Sequence, residues 1–164
     1  MQLADFNAMT HAEANAAVRP CVDIDSWVDA VVAGRPYDDL SMLLAVGDLQ
    51  ARSWSGPDVE KALVDHPRIG ERHPGTGASA GMSGREQAGV DPQDADVQAR
   101  LAAGNAAYEE RFDRIYLVRA AGRSAEEILA LLEERLGNDP ETELAVTAEQ
   151  LREIALLRLE GLFA

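Results

Sequence analysis

At 164 residues the chain suits one domain with one core, long enough to bury its apolar surface without disulfides or a structural metal. Its 15 basic against 29 acidic side chains leave a formal charge of −14. That balance disfavours nucleic acid and anionic membrane surfaces as partners, because phosphate binding needs clustered Lys and Arg.

Cys21 is the single cysteine, so no internal disulfide is available, and a small buried apolar role suits it. Residues 1–6 lack a basic start followed by an apolar run, and the apolar stretches are too short to span a bilayer, so the cytoplasm is the expected location.

Helix signals begin at Thr10-His11-Ala12-Glu13, a capping-box pattern followed by Ala14, Ala17 and Val18 on one face. A short helix is expected from Ser26 to Ala33, with Trp27, Ala30 and Val31, stopped by Gly34 and Pro36. Asp38 or Asp39 can cap the next helix, whose Leu40, Leu43, Leu44 and Leu49 recur near the helical period. Ser55-Gly56-Pro57-Asp58 opens another, with Pro in the first turn where its missing N–H is harmless. That helix must end near His66, because Pro67 pushes the preceding residue out of the α region.

Residues 67–82 differ in kind. Pro67, Gly70, Pro74, Gly75, Gly77 and Gly81 interrupt them, and no periodicity survives, so a long irregular loop is expected. Ser83-Gly84-Arg85-Glu86 then reads as a second capping box at which helix resumes. Asp91-Pro92 opens a long helix through about Phe112, striped by Val97, Leu101, Tyr108 and Phe112. The apolar run 115–118 fits either a short strand or a buried helical turn. Ser124 caps a helix carrying Ile128, Leu131, Leu132 and Leu136, stopped by Gly137, and Pro140 opens the last one. The sum is an all-α single domain over residues 1–164, a bundle of about seven to eight helices.

Three histidines are present. His11 lies inside the first capping box and His73 inside the irregular loop. His66 sits at a forced helix end facing that loop, where an imidazole serves either as a helix cap or as a general acid or base. A zinc set of His66, Glu71 and His73 matches no familiar ligand spacing, so no metal is expected. The loop glycines lack the Lys-Ser/Thr ending of a phosphate-binding loop. Arg158 falls near the apolar face of the last helix, between Ile154 and Leu162, and a cation there needs an anionic partner from protein or substrate.

Together these residues resemble a known family. His66-Pro67-Arg68-Ile69-Gly70-Glu71, followed by Ser83-x-x-Glu86-Gln87, is similar to the 2-oxo-4-hydroxy-4-carboxy-5-ureidoimidazoline (OHCU) decarboxylases of urate breakdown. The likeness continues through Phe6-Asn7, Cys21 with Trp27, Arg35-Pro36-Tyr37, and Gly104-Asn105-x-x-Tyr108-x-x-x-Phe112. It ends with Gly122-Arg123-Ser124, Glu127-Ile128-Leu129, Arg135-Leu136, and Arg152-Glu153-Ile154 leading to Leu157-Arg158-Leu159. No single piece is specific, but their order and spacing are.

The resemblance implies an all-helical fold and cofactor-independent decarboxylation of OHCU to (S)-allantoin. It places the catalytic roles on His66 and Glu86. It places substrate contacts on Pro67, Ser83, Gln87, the backbone around Ile115, and Arg158. OHCU is the implied small-molecule partner, and a homodimer is compatible with the family. One departure stands out: Asp113 follows Phe112 where the family usually has Gly. The competing reading is a catalytically inactive helical module that binds a ureido metabolite or a protein partner. A third is a relative that acts on another small carboxylated purine-derived ring.

Overall fold

The computed structural model describes residues 1–64, 66–71, 77–91 and 93–164. Among the described residues it is all-α, with nine α-helices and no strand. They are α1 (Leu3–Ala8), α2 (His11–Val18), α3 (Asp25–Ala33), α4 (Leu40–Ala51), α5 (Gly56–Leu63), α6 (Ala78–Glu86), α7 (Ala95–Phe112), α8 (Ala125–Arg135) and α9 (Pro140–Phe163). The chain forms two compact units: residues 1–62 with 152–164, and residues 63–151.

In the first unit the core is built on Phe6, Val18, Trp27, Val31, Leu43 and Leu159, all fully buried. Trp27 on α3 donates its indole N–H to the Gly47 carbonyl on α4 at 2.9 Å. A methyl group at Gly47 would lie 3.2 Å from Leu159 Cδ2, so that side chain would have to give slightly to admit it. The chain before α2 is tied down by polar side chains. Arg35 donates to the carbonyls of Phe6 and Met9 at 2.7 and 2.8 Å. The Asn7 amide bonds both backbone groups of Tyr37, at 2.8 and 3.0 Å. These long-range ties stabilise α1, a helix the local sequence signals do not announce.

The second unit has its own core around Leu101, Tyr108 and Phe112 of α7, Tyr116 and Val118 of the following segment, and Ile128 and Leu132 of α8. Gly104 lets α7 and α8 approach closely: a methyl group there would lie 2.1 Å from Leu132 Cδ2. Buried among these side chains is a polar network. The Arg135 Nε donates to Glu143 Oε1 at 2.8 Å, and the Tyr108 hydroxyl donates to the same oxygen at 2.5 Å. Arg135 also donates to Thr147 at 3.2 Å and to the Leu117 carbonyl at 2.6 Å. Burial, then the hydrogen bond to the Glu143 carboxylate, pushes the Tyr108 hydroxyl up to about 12.

Local signals place most helix starts. The boxes at Thr10 with Glu13 and at Ser124 with Glu127 are both formed, and Asp39 caps α4. Two starts differ from expectation. Ser83 is a buried residue inside α6, which begins at Ala78 after Gly77, so the Ser83–Glu86 spacing is an ordinary turn of helix and not a cap. α7 starts at Ala95, because the Asp94 carboxylate accepts from the N–H groups of Asp96 and Val97, both at 3.1 Å. Asp91 instead accepts from Gln93 N–H in the preceding turn, and Pro92 lies outside the described residues. The 115–118 run is neither strand nor helical turn: residues 115–120 have no regular structure, yet Tyr116, Leu117 and Val118 are buried.

Candidate active site

Pro67 ends the helical path, and the last bond of that turn runs from His66 N–H to the Leu63 carbonyl at 3.0 Å. His66 is half-buried. The chain then turns tightly, with Glu71 N–H returning to the Arg68 carbonyl at 3.0 Å. Gly70 has φ +87°, a left-handed conformation that favours glycine, and a side chain there would also press on Gln98 and Leu101 at 3.2 Å. The glycine in the motif is therefore fixed by backbone geometry and by space together.

Three side chains hold this turn. Asn105 on α7 donates to the Ile69 carbonyl at 3.0 Å. Gln87, the residue that follows α6, accepts from Gly70 N–H at 2.8 Å and donates to the Glu71 carbonyl at 3.4 Å. Glu109, one helical turn beyond Asn105, forms a two-pronged pair with Arg68, whose second prong measures 2.9 Å. That hydrogen bond draws the Glu109 carboxyl below its ordinary value and raises the Arg68 guanidinium. Arg68 is thus engaged by protein.

The second unit contains six of the seven expected site residues: His66, Pro67, Ser83, Glu86, Gln87 and Ile115. Ser83 is buried within α6, Glu86 is the half-buried last residue of that helix, and Gln87 adjoins it. Ile115 is half-buried in the irregular segment after α7. Backbone groups of that segment are held by side chains, since Leu117 C=O accepts from Arg135 and Arg119 N–H donates to Gln150 Oε1 at 3.0 Å. Arg158 belongs to the first unit, where it is buried and donates to the Pro20 carbonyl at 3.3 Å. His73 lies outside the described residues, and among the described residues no group of acidic, His or Cys side chains is arranged to hold a metal.

Asn105 and Glu109 were not singled out as site residues from sequence. The signal for Asn105 was present: a polar residue interrupts the apolar stripe Val97, Leu101, Tyr108, Phe112, and an amide at such a position needs a backbone or side-chain partner. Asp113 also finds its explanation here. It caps α7 with φ +54°, ψ +33°, the left-handed conformation in which glycine is the unstrained residue.

Comparison with known proteins gives one consistent answer. The family model for OHCU decarboxylase matches residues 7–160 and so takes in both units. A curated OHCU decarboxylase from Amia calva is 38% identical over 136 residues, covering 81% of this chain and 77% of the relative. The uric acid degradation bifunctional protein of Arabidopsis thaliana is 30% identical over 88% of this chain, which spans 45% of that relative's length. Among solved structures, a crystal structure of OHCU decarboxylase in the presence of (S)-allantoin superposes with a TM-score of 0.71 at 25% identity, over 88% of this chain and 95% of the other. A structure of (S)-allantoin synthase, at 18% identity and a TM-score of 0.72, shares the fold over the whole of this chain and 54% of its own. The chain belongs to the OHCU decarboxylase family, a family of carbon–carbon lyases acting in urate degradation.

Proposed function

We propose that the chain decarboxylates OHCU to (S)-allantoin, with His66 as the proton-transfer residue. The observation that carries this reading is that His66 lies in the turn after α5, bonded to the Leu63 carbonyl that ends the helix, and that the segment following it is held on both sides by side-chain bonds, within a family match over residues 7–160. A residue that must deliver a proton to one face of a ring needs such a fixed backbone.

The chemistry requires three things. The substrate's carboxylate must be oriented, the electrons of the breaking C–C bond must be taken up, and one proton must be supplied. Arg158 has the planar fork that binds a carboxylate. The electrons pass into the substrate's own ring as carbon dioxide leaves, so no external electron sink is needed. The proton balances the loss of carbon dioxide and is added on one face of the ring carbon bearing the ureido group. His66 exchanges that proton near neutral pH. Glu86 orients the imidazole and the ureido group, with Gln87, Ser83, Pro67 and the backbone near Ile115 lining the ligand. In the same reading the whole chain acts as one cytoplasmic, cofactor-free catalytic domain with a small-molecule partner.

The test supplies freshly generated OHCU and follows the appearance of optically active allantoin. Uncatalysed decay gives racemic product, so chirality reports the enzyme. Replacing His66 with Ala should lower kcat by roughly 10²–10⁴ with a much smaller change in KM. A variant that keeps the parent kcat would remove His66 from the mechanism.

A further inference from the structure

The Ile69 carbonyl and the Gly70 N–H belong to one peptide group. Asn105 on α7 donates to the oxygen at 3.0 Å and Gln87, just past the end of α6, accepts from the nitrogen at 2.8 Å, so two side-chain amides from separate parts of the chain grip both polar ends of a single peptide plane. That plane lies three residues after His66. It also precedes the left-handed Gly70, where rotation of the plane would redirect the chain on either side.

We propose that this amide clamp is a positioning device for His66, and that Asn105 is the positioning residue that closes it. The inference rests on the reading of His66 as the proton-transfer residue. Three observations support it. Asn105 is 4% exposed and lies on α7 between the core residues Leu101 and Tyr108. Its amide oxygen is buried with no hydrogen-bond partner among the described residues. Leaving a buried acceptor unmet costs about as much as the one bond to Ile69 returns, so fold stability alone does not account for an asparagine here. Finally, Glu109 grips Arg68 from the next turn of the same helix face, so α7 holds two consecutive residues of the segment. Such redundancy fixes geometry more than it adds stability, since exposed pairs like Arg68–Glu109 contribute little.

The experiment is a double-variant cycle on the full chain. Asn105→Leu keeps the branched outline of the side chain with somewhat larger methyl ends, removes the orphaned oxygen and releases the Ile69 carbonyl. Asn105→Asp keeps the shape and, at pH 8, loses the donor. Both are compared with His66→Ala and with the combination of each with His66→Ala. For either variant, far-UV circular dichroism and the melting temperature should show a folded protein at the assay temperature. The expected kinetic result is a fall in kcat of ten- to a hundredfold with KM within about threefold, because a displacement near 1 Å is worth about that much in rate. In the His66→Ala background the same substitution should have no further effect on kcat, since there is no imidazole left to misplace. A merely structural role would leave kcat per folded enzyme unchanged. The proposal is overturned if Asn105→Leu and Asn105→Asp keep kcat within twofold while His66→Ala loses it, or if the losses multiply in the combined variants. If His66→Ala itself keeps its kcat, the underlying mechanism fails instead, and the two failures are distinguished.

Discussion

Replacing Arg135 with Met probes the buried network of the second unit. The Arg135 and Glu143 side chains are 5% and 0% exposed, and their closest oxygen–nitrogen approach is 2.6 Å. Methionine fills much of the aliphatic volume but leaves the Glu143 carboxylate in the core without its cation. It also takes the donor from the Leu117 carbonyl. Tyr108 and Asn138 still donate to Glu143, at 2.5 and 2.8 Å, which softens the loss. Breaking a buried pair from one side costs about 3–5 kcal/mol. For a chain of this size each kcal/mol moves the melting temperature by about 2–4 °C, so a drop of roughly 6–20 °C is expected. Thermal melts and urea titrations followed by circular dichroism measure it. Arg135→Met combined with Glu143→Leu should regain at least half of the loss, because apolar replacement of both partners of a buried pair is often neutral. A single-variant loss below about 1 kcal/mol, or a combined variant as unstable as the sum of its parts, would refute the account of the pair as one desolvated unit.

Two further outcomes follow from backbone and charge. Asp113→Gly should stabilise the chain by up to about 1 kcal/mol, measured as a rise in urea midpoint, since the residue holds φ +54° at the end of α7. A lower midpoint would show that the aspartate side chain itself contributes there. The capping carboxylates Glu13, Asp58, Glu127 and Asp139 are held below their ordinary values by hydrogen bonds, from Thr10, Ser55, Ser124 and Thr142 respectively. Their folded values lie below the unfolded ones, so their contribution is complete above the unfolded carboxylate range and is lost as pH falls through the lowered values. The melting temperature should therefore be flat from about pH 5.5 to 7 and decline below about pH 4.5. A decline that begins near pH 6 would point to histidine instead.

The all-α class was legible because periodicity and punctuation agree along most of the chain. The boxes at Thr10 and Ser124 work as read because each cap residue itself stands outside the helix, with ψ near +160°, so its side chain faces open N–H groups. The same spacing at Ser83 misleads, since Ala78, Ser79 and Ala80 already propagate helix and leave no open N–H groups for Ser83 to satisfy. Spacing reports a possible bond, not whether the preceding turn leaves it vacant. The candidate site rests on residue types in order, through likeness to a family. What the local sequence does not carry is long-range partnership. Glu143 reads as an acidic residue in a helix first turn, yet it is fully buried because Arg135, Tyr108 and Asn138 converge on it. Gln87 reads as a surface polar residue, yet it spans two backbone groups of a turn 16–17 residues away.

Among the described residues the segment after α7 has no ladder partner, and side chains from elsewhere secure its backbone: Arg135 on Leu117 and Gln150 on Arg119. This division separates where a sequence is free to drift from where it is not. A carbonyl or an amide proton is the same for every residue except proline, so the anchors recognise the segment without reading its side chains. Selection from a library randomised at 115, 117 and 118 should return many apolar combinations. The same library at 135 and 150 should return few, because a single lost donor or acceptor there strands a backbone group that no neighbouring strand can take up.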